Sequence, residues 1–572
     1  MQRFFARSFK KGFTIVELLV VIVVIGILAA VAIVGYGSIQ NGAKDKSVLS
    51  DGKGVAAEVT RYMTKNGGTY NAVLNWDSSV STNSNINFSP SSGNVVTVGI
   101  DVYGTSYCVK AYNPVASTYN SLATAYTEGE CEVRWSSLAP GSGHNCAITR
   151  GNTAYCWGAN TNGKLGNNST TNSAIPAAVL TTGVLSGKTI KSLRLGSQHT
   201  CAIASDDKVY CWGNNTSGQL GDGSIVSSSV PVAVSTSGVL SGKKIKSLVA
   251  GSAHTCALAS DDKVYCWGVN TSGQLGNNST TNSSVPVAVS TAGVLSGKTV
   301  KSLDADTDSI STTCVIASDD KPYCWGINTF GILGNNSTTN SSVPVAVSTA
   351  GVLSGKTVKS LEVDRETACA IASDDNLYCW GRGENGKLGN GATANSSVPI
   401  AVSTAGVLSG KTIKFVNVTY GHTCVIASDN NAYCWGLNNY GQVGNNTSTS
   451  SSVPVAVSTS GVLSGKTISR IVNSDYITCA LASDAKAYCW GNNQDAGQVG
   501  NNSYTNALAP TAVLTDSVLS GKNIKSLVYG YSVACALDSD GYAYCWGSYS
   551  NSGELGNGSM SGSTFPVKVV TP

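Results

Sequence analysis

Eight pairs of cysteines are the residues of this 572-residue sequence whose type and spacing most readily permit chemistry. The two members of each pair are ten positions apart, and a Trp-Gly dipeptide follows the second. The pairs are Cys146 with Cys156, Cys201 with Cys211, Cys256 with Cys266, Cys314 with Cys324, Cys369 with Cys379, Cys424 with Cys434, Cys479 with Cys489, and Cys535 with Cys545. Zinc ligands are usually spaced roughly two to four residues apart, which these pairs are not, so we expect disulfides. Free buried thiols that act as small core residues are the alternative.

The histidines share one position, two residues before the first cysteine of a pair. They are His144, His199, His254 and His422. The other four copies place Thr312, Thr367, Ile477 and Val533 there. A position that accepts isoleucine and valine serves packing or a local hydrogen bond, not proton transfer. The sequence also contains no nucleophile elbow, phosphate-binding loop or His-Glu-x-x-His motif, so we expect no catalytic residues and no enzymatic activity.

One candidate metal site lies in the fourth repeat, where an insertion carries Asp304, Asp306 and Asp308. Alternating carboxylates are ligands that hard cations prefer, but the glycine and terminal glutamate of a complete calcium loop are missing. A solvated acidic loop is the alternative. Calcium is therefore the one cofactor that the sequence suggests.

The cysteines and histidines recur because the chain repeats one unit eight times. Successive first cysteines are separated by 55, 55, 58, 55, 55, 55 and 56 residues. Each unit has four strand-like segments, which in the second unit are IKSLRLG, HTCAIAS, KVYCWGN and VPVAVS. Short strands repeated in this way, with no segment of helical periodicity, are typical of a β-propeller. We predict a mainly β fold with about eight four-stranded blades, and seven blades as the alternative.

A short polar turn, Ser-Asp-Asp in the second unit, joins the second and third strands of each unit. Pairing Ala204 with Lys208 across this turn brings Cys201 opposite Cys211. A disulfide can span the β-carbons of such a cross-strand pair. We therefore predict one disulfide per blade, each stabilising by up to roughly 3 kcal/mol through chain entropy.

The repeated motif H-x-C-A-I-A-S-D-D-K-V-Y-C-W-G-x-N-x-x-G-Q-L-G-N-N-S is similar to the regulator-of-chromosome-condensation repeat, over residues 134–572. This resemblance implies a propeller, which in that family usually has seven blades. Here the first and last of the eight copies look complete. The family's founding activity, nucleotide exchange on a nuclear GTPase, does not carry over, because the cysteines indicate an oxidising location.

The loops between the first and second strands and between the third and fourth vary among the copies, whereas the other two connections barely change. Because strands alternate in direction, the variable loops emerge on one rim of the propeller. Aromatic and charged side chains of the kind found at recognition surfaces occur there in the fourth to eighth units. They are Phe330, Arg365, Arg382, Glu384, Tyr420, Tyr440, Tyr476, Asp495, Tyr529, Tyr531 and Tyr549. We predict a binding rim, with neutral drift at exposed loops as the alternative.

The N-terminus combines a short basic leader, MQRFFARSFKKG, with an apolar run that is uninterrupted from Leu18 to Val34. Its length suits a membrane anchor or the core of a secretory signal. No small-residue cleavage site follows the run, and one carboxylate, Glu17, lies at its start. A carboxylate in an apolar helix is costly unless a positive partner meets it.

This stretch, KKG followed by FTIVELLVVIVVIGILAAVAI, closely resembles the type IV prepilin signature. The resemblance implies that prepilin peptidase cuts between Gly12 and Phe13 and that Phe13 becomes the methylated N-terminus. Glu17 would then meet the N-terminal amine of a neighbouring pilin subunit in the filament. A plain signal-anchor is the alternative. The sequence departs from many pilins at Val34, where those proteins carry a proline.

Residues 37–133 read as a pilin head, in which an amphipathic helix is followed by short alternating runs that predict a small antiparallel sheet. By the pilin resemblance, Cys108 and Cys131 match a disulfide-closed C-terminal loop. We expect four regions: a leader (1–12), a long hydrophobic N-terminal helix that serves as transmembrane anchor (13–36), a pilin head (37–133) and the propeller (134–572).

Composition limits the function further. Charged residues make up 12% of the chain, and without the four basic residues of the leader the counts of basic and acidic residues are equal. This balance argues against nucleic acid as a partner, and the even number of cysteines, 18, indicates an extracytoplasmic location. We expect the chain to sit in the bacterial inner membrane before assembly and then in an extracellular pilus.

The combined pattern predicts a minor type IV pilin, similar to a tip adhesin, that displays a binding propeller. Its partners would be other pilin subunits, through the N-terminal helix, and an extracellular protein or glycan. A pseudopilin-like structural component of a secretion or DNA-uptake apparatus is the alternative.

Overall fold

The computed structural model describes residues 95–100, 107–112, 126–128, 133–305, 312–515, 518–548 and 550–571. The chain divides into two units after Val133, and each is described by itself. Several predicted features lie outside the described residues. They are the leader, the hydrophobic helix with Gly12, Phe13 and Glu17, the disulfide between Cys108 and Cys131, and the side chains of Asp306, Asp308 and Tyr549.

The first unit contains a three-stranded antiparallel sheet in the order β1-β2-β3. Its strands are β1 (Val95–Ile100), β2 (Tyr107–Tyr112) and β3 (Tyr126–Glu128). Val98 pairs with Val109 between β1 and β2, and Lys110 pairs with Thr127 between β2 and β3. In the part of the chain that the structure describes, no helix is long and apolar enough to cross a bilayer.

The second unit is a ring of four-stranded antiparallel blades, whose strands we call a, b, c and d in chain order. Blade 1 contains β4 (Trp135–Pro140), β5 (His144–Thr149), β6 (Ala154–Gly158) and β7 (Ser173–Ala178). Blade 2 contains β8 (Ile190–Leu195), β9 (His199–Ala204), β10 (Val209–Gly213) and β11 (Ser228–Ala233). Blade 3 contains β12 (Ile245–Ala250), β13 (His254–Ala259), β14 (Val264–Gly268) and β15 (Ser283–Ala288). Blade 4 contains β16 (Val300–Ala305), β17 (Thr312–Ala317), β18 (Pro322–Gly326) and β19 (Ser341–Ala346).

The second half of the ring repeats the same plan. Blade 5 contains β20 (Val358–Asp364), β21 (Thr367–Ala372), β22 (Leu377–Gly381) and β23 (Ser396–Ala401). Blade 6 contains β24 (Ile413–Val418), β25 (His422–Ala427), β26 (Ala432–Gly436) and β27 (Ser451–Ala456). Blade 7 contains β28 (Ile468–Ser474), β29 (Ile477–Ala482), β30 (Ala487–Gly491) and β31 (Ala507–Ala512). Blade 8 contains β32 (Ile524–Tyr529), β33 (Val533–Asp538), β34 (Ala543–Gly547) and β35 (Ser563–Lys568).

The loops between strands carry short 3₁₀ turns. They span Thr161–Gly163, Gly183–Leu185, Gly293–Leu295, Gly351–Leu353, Glu384–Gly386, Gly406–Leu408 and Gly461–Leu463. The leucine of each Gly-Val-Leu turn is buried between neighbouring blades, as Leu295 is at 3% exposure. The constant connection from strand d to the next strand a therefore places its leucine in the core, while most of its other residues are exposed.

The predicted disulfides are confirmed in all eight blades, each joining strand b to strand c. The bonded pairs are Cys146 with Cys156, Cys201 with Cys211, Cys256 with Cys266, Cys314 with Cys324, Cys369 with Cys379, Cys424 with Cys434, Cys479 with Cys489, and Cys535 with Cys545. In blade 2 the two cysteines are direct cross-strand partners, and the amide of Ala204 donates to the carbonyl oxygen of Lys208 at 3.0 Å, as the turn predicts. The alternative of free buried thiols is therefore wrong for these sixteen residues.

Strand b is buried along its whole length in every blade, as in β9. Neighbouring blades cover both of its faces, which is why HTCAIA reads as almost continuously apolar. The disulfides that strand b carries therefore lie inside the propeller and not on its surface.

Strand a is innermost, because the a strands of successive blades contact each other around the ring. Strand d is the outer edge and carries a proline at its centre, Pro231 in β11. A proline removes an edge hydrogen-bond donor and so discourages pairing with another chain.

Blade 8 packs against blade 1 and closes the ring at eight blades, so the seven-blade alternative is wrong. The Trp135 amide donates to the Gly541 carbonyl oxygen at 2.7 Å, and Asn145 Nδ2 donates to the Glu554 carbonyl oxygen at 2.8 Å. The Arg134 guanidinium lies 3.6 Å from the centre of the Tyr542 ring. These contacts join the two ends of the repeat array.

The constant Trp-Gly and Gln-Leu-Gly motifs form the junction between blades. Trp267 of blade 3 is fully buried, and its Nε1 donates to the Gln219 carbonyl oxygen of blade 2 at 2.9 Å. Gly221 has a positive φ of 70°, and a Cβ there would lie 2.7 Å from Trp267 Nε1. Only glycine permits this approach of loop and ring. The equivalent tryptophan bond recurs at all eight junctions, including the closing one, Trp157 to Glu554.

Candidate binding rim

The variable loops a–b and c–d lie next to each other on one rim of the blades whose loops the structure describes, as the strand directions predict. In blade 2, the Asn214 amide of the c–d loop donates to the Gln198 carbonyl oxygen of the a–b loop at 2.9 Å. In blade 6, the same bond joins Leu437 to Gly421 at 2.9 Å. We call this side of the propeller the variable rim.

The histidines lie just beneath the variable rim and link neighbouring blades. His199 Nε2 is 2.9 Å from Thr255 Oγ1 of the next blade, and both side chains are fully buried. His144, His254 and His422 bond the equivalent residues Thr200, Thr313 and Thr478. Burial lowers the pKa of His199 to about 3, that of His254 to about 4 and that of His422 to about 3. These neutral imidazoles are structural hydrogen-bonding groups.

We expect the propeller to lose stability as the pH falls from 6.5 to 4.5. The unfolded chain binds a proton at each histidine near pH 6.5, whereas the folded chain, with its lowered histidine pKa values, does not. The contribution of each imidazole is therefore complete above pH 6.5 and falls below it, by about 1.4 kcal/mol per pH unit, or about 2–3 kcal/mol for His199 over this range.

Urea unfolding of the native chain and of a His199→Gln variant at pH 7 and pH 4.5 checks this prediction. Glutamine retains a group that can bond Thr255 but does not titrate, so the free energy of unfolding of the variant should depend less on pH. Equal losses of stability in both proteins would contradict the assignment.

Arg382 is the centre of a cluster on blades 4 to 6. Its guanidinium lies 5.1 Å from the centre of the Phe330 ring and 5.1 Å from that of the Tyr420 ring. It also donates to the Tyr420 hydroxyl at 3.1 Å and to Glu366 Oε2 at 2.5 Å, and it pairs with Glu384. Three residues predicted for the rim, from three different blades, are thus in direct contact.

Arg365 extends the cluster toward blade 7. Its guanidinium lies 5.2 Å from the centre of the Tyr420 ring, and its Nη1 is 3.0 Å from Asp475 Oδ2. The rings of Tyr440 and Tyr476 meet edge to face with their centres 5.5 Å apart. Burial, with smaller contributions from Asp475 and neighbouring tyrosines, raises the pKa of Tyr476, so its hydroxyl is a neutral hydrogen-bonding group at physiological pH.

A pocket of about 430 Å³ opens between blades 7 and 8. Tyr476, Asp475 and Asp495 of blade 7 and Tyr529 and Tyr531 of blade 8 contribute to its walls. Of the predicted rim residues whose side chains are described, Phe330, Arg365, Arg382 and Tyr420 therefore form one cluster. Tyr440 and Tyr476 continue it, and Tyr529 and Tyr531 line the pocket.

The RCC1-like domain family matches residues 235–571, more than half of the chain. The chain belongs to this family. Regulator of chromosome condensation (RCC1) repeats match residues 135–164, 152–203, 190–219 and 206–258. Residues 7–33 match the prokaryotic N-terminal methylation motif. A prepilin-type N-terminus followed by an RCC1-like propeller fits a pilin-related surface protein.

Curated relatives match part of this RCC1-like protein. The ultraviolet-B receptor UVR8 of Arabidopsis thaliana is 29% identical over 308 residues, which are 54% of this chain and 66% of the receptor. The ubiquitin-protein ligase HERC2 of Homo sapiens is 28% identical over 337 residues, which are 58% of this chain and 7% of the ligase. The structure of Prp20p from Saccharomyces cerevisiae is similar with a TM-score of 0.50 and 19% identity, and the match covers 69% of this chain and 91% of Prp20p. That likeness concerns the fold alone.

Lys387 is a residue of the RCC1-like rim that sequence analysis missed. It is 1% exposed, and its Nζ donates to the Tyr420 carbonyl oxygen at 3.0 Å. Burial lowers its pKa to about 8, against the opposing charge of Glu366. The signal was present in the sequence, because the Gly-Gln-Leu-Gly motif of blades 2 and 3 reads Gly-Lys-Leu-Gly in blade 5.

The proposed calcium ligand Asp304 of the RCC1-like propeller lies in strand β16, the innermost strand of blade 4, and not in a loop. Its carboxylate accepts hydrogen bonds from the amides of Ala305 at 3.0 Å and Val363 at 2.9 Å. Burial raises the pKa of Asp304, and burial together with the charge of Asp304 raises the pKa of Glu362. Within the described ranges, no three His, Cys, Asp or Glu side chains are grouped to hold a metal ion.

Proposed function

We propose that this protein is a minor type IV pilin whose RCC1-like propeller attaches to a ligand on a cell surface, at or near the tip of a pilus. The observation that carries the proposal is the continuous set of aromatic and arginine side chains on the variable rim of blades 4 to 8. In this proposal, residues 13–36 anchor the chain in the membrane before assembly and then pack against other pilin subunits.

The rim cluster suits binding because its side chains are held in place before a ligand arrives. Arg382 is fixed by Glu366, Glu384 and Tyr420, so an incoming group meets an ordered surface. Pre-ordering reduces the entropy lost on binding. At the same time Tyr476 and Tyr531 are 39% and 49% exposed, which leaves apolar ring surface for contact. Tyrosine and arginine are among the residues most enriched at binding hot spots.

The opposite rim of the propeller differs from the variable rim, because its side chains repeat from blade to blade. There a Lys-Asp-Tyr contact recurs from blade to blade, as in blade 4, where Lys298 Nζ lies 3.2 Å from Asp319 Oδ2 and Tyr323 Oη donates to the same carboxylate at 2.7 Å. Side chains that repeat in this way hold the loops of the propeller together. A site for one ligand requires a surface that differs between blades, and blades 4 to 8 of the variable rim have one.

The size of the propeller supports a minor position in the filament. The propeller unit extends from Arg134 to Pro572, so it makes up most of the chain. A head of this size on every subunit would crowd a packed filament, and a tip position would leave it free to reach a surface.

Replacing Tyr440, Tyr476 and Tyr531 by serine should strongly weaken attachment. The test uses the full chain, purified under oxidising conditions and labelled, with a panel of whole bacterial and epithelial cells. Saturable binding is expected for the native chain, and its dissociation constant should rise at least about tenfold in the triple variant, because the changes remove three aromatic side chains of the rim, of which Tyr476 and Tyr531 are exposed. Tyr504→Ser, at a tyrosine that is 62% exposed outside the cluster, is the matched control.

Thermal unfolding of each variant ensures that a loss of binding is not a loss of fold. Binding that survives the triple substitution would place the ligand site elsewhere. Failure to bind any cell would overturn adhesion and favour a structural component of a secretion or DNA-uptake apparatus.

A further inference from the structure

The junction between blades 7 and 8 differs from those that carry histidine. Where His199 meets Thr255, a buried polar pair fills the space beneath the rim. At this junction the same two positions hold Ile477 and Ala534. Ile477 is 3% exposed and forms part of the lining of the 430 Å³ pocket. The pocket lining therefore includes an apolar side chain at the position where the four histidine junctions have a hydrogen bond.

Tyrosine rings form the walls of this pocket. Tyr476 comes from the a–b loop of blade 7, and Tyr529 and Tyr531 come from the end of strand a and the equivalent loop of blade 8. The Tyr476 carbonyl oxygen accepts a hydrogen bond from the Asn492 amide at 2.8 Å, which ties this wall to the c–d loop of the same blade. Aromatic rings at the edge of a concave site offer flat apolar faces together with a hydroxyl that can bond a ligand.

Polar groups of fixed orientation complete the pocket. Asn492 Nδ2 donates to Asp495 Oδ2 at 2.6 Å, which holds this carboxylate at the pocket wall. In the part of the chain that the structure describes, the other oxygen, Asp495 Oδ1, accepts no hydrogen bond. Gln498 also lines the pocket, and its Oε1 accepts from the Ala496 amide at 3.2 Å. A carboxylate and two amides held in this way can bond adjacent hydroxyl groups.

Charge excludes one class of ligand. Asp475 and Asp495 line the pocket, and none of the described lining residues is lysine or arginine. An anionic ligand, such as a phosphate or a sialic acid, would bring its charge against the Asp495 carboxylate at a cost, because Arg365 pairs with Asp475 and not with Asp495.

We propose that the pocket between blades 7 and 8 binds a neutral pyranose sugar, the terminal residue of a surface glycan. Its apolar face would stack on the tyrosine rings while adjacent hydroxyls bond Asp495, Asn492 and Gln498. The volume, about 430 Å³, lies within the range of about 300–1,000 Å³ typical of small-molecule sites. This inference rests on the proposed function and names the ligand class of the adhesive rim.

A basic peptide is the competing ligand, because it too would contact aromatic rings and carboxylates. The structure favours the sugar because of the pairing of the carboxylates. Asp475 already pairs with Arg365 at 3.0 Å, so only one carboxylate of the described pocket lining lacks an arginine partner within 4 Å.

Saturation-transfer difference NMR on the full chain tests the proposal, in a detergent without a sugar headgroup. The probes are methyl β-galactoside, methyl α-mannoside and N-acetylglucosamine, with N-acetylneuraminic acid and trilysine for comparison. We expect transfer to at least one neutral sugar, and none to N-acetylneuraminic acid or trilysine. Affinity should weaken at least about tenfold in Tyr531→Ala and fall in Asp495→Asn, but stay unchanged in the control Tyr504→Ala.

The outcomes separate this proposal from the adhesive function itself. No transfer to any neutral sugar, transfer that survives Tyr531→Ala, or displacement of the sugar by trilysine overturns the sugar site. Cell attachment that requires the rim tyrosines but is not competed by a saturating neutral sugar also overturns it while leaving adhesion intact. Each variant is first shown by its thermal unfolding to retain the native fold.

Discussion

Refolding the propeller under reducing conditions should fail at 37 °C, whereas the oxidised chain should refold. Each of the eight disulfides closes a loop with a sequence separation of 10 and stabilises the fold by roughly 2–3 kcal/mol through chain entropy. Together they contribute on the order of 20 kcal/mol to the free energy of unfolding. This is more than the total free energy of unfolding of a typical folded domain, which is about 5–15 kcal/mol. We therefore expect the reduced chain to be largely unfolded.

The experiment must begin from the unfolded chain, because the sixteen cysteines of the propeller disulfides are inaccessible in the folded one. Cys256 and Cys266 are both 0% exposed, so a reductant reaches them only after the blade opens. Tryptophan fluorescence after dilution from guanidinium, with and without dithiothreitol, reports refolding. A variant with both Cys256 and Cys266 replaced by alanine should lose only about 2–3 kcal/mol and remain folded. Native fluorescence in the fully reduced chain would contradict the prediction.

The second large effect is expected at the tryptophan between blades. Trp267→Ala should lower the free energy of unfolding by about 4 kcal/mol, within the range of about 3–5 kcal/mol for removal of a buried aromatic side chain. The ring is 0% exposed and packs among Ile203, Leu220 and Val234 of blade 2. Its loss also leaves the Gln219 carbonyl oxygen without the indole bond of 2.9 Å.

Trp267→Phe is the matched control, because it keeps an aromatic ring in the cavity but removes the indole N–H. We expect it to cost about 0.5–1.5 kcal/mol, the usual net contribution of one hydrogen bond, because the Gln219 carbonyl oxygen still accepts a hydrogen bond from Thr255 Oγ1 at 3.2 Å. Urea unfolding of both variants and the native chain gives the comparison. A cost below about 1 kcal/mol for the alanine variant would show that the blades are held together mainly by other contacts.

The two effects act on different levels of the propeller. A disulfide joins strands b and c within one blade, whereas the tryptophan joins one blade to the next. The pair that closes the ring, Trp157 bonded to Glu554 at 2.8 Å, spans almost the whole repeat array in sequence. Loss of a disulfide should therefore weaken a blade, and loss of a tryptophan should weaken the ring.

The order of strands and the disulfides were open to prediction because they depend on short-range geometry. The turn between Ala204 and Lys208 sets the register of its hairpin, and that register alone places Cys201 beside Cys211. Because the sequence of this hairpin is repeated eight times, the same argument predicts all eight disulfides. The number of blades needed the structure, since only the contacts between blade 8 and blade 1, such as the hydrogen bond from Trp135 to Gly541, exclude a seven-blade ring.

The sequence predicted which side of the propeller carries the variable loops, but it did not predict which side chains contact each other there. Loop variability indicated Arg382 and Tyr420 separately, yet their contact crosses from blade 5 to blade 6. Lys387 escaped notice because a lysine between a glycine and a leucine reads as exposed, whereas in the propeller its Nζ bonds the Tyr420 carbonyl oxygen of the next blade.

Asp304 is a case in which the sequence suggested a site residue and the structure shows a contact between blades. Its sequence context suggested a calcium ligand in a loop, but Asp304 lies in the innermost strand of its blade. There its carboxylate accepts a hydrogen bond from the Val363 amide of the next blade. Contacts within a hairpin follow from residue type and spacing, and these the sequence determined by itself. Contacts between blades depend on how separate sheets pack around an axis, and only the tertiary structure decided which side chains meet there.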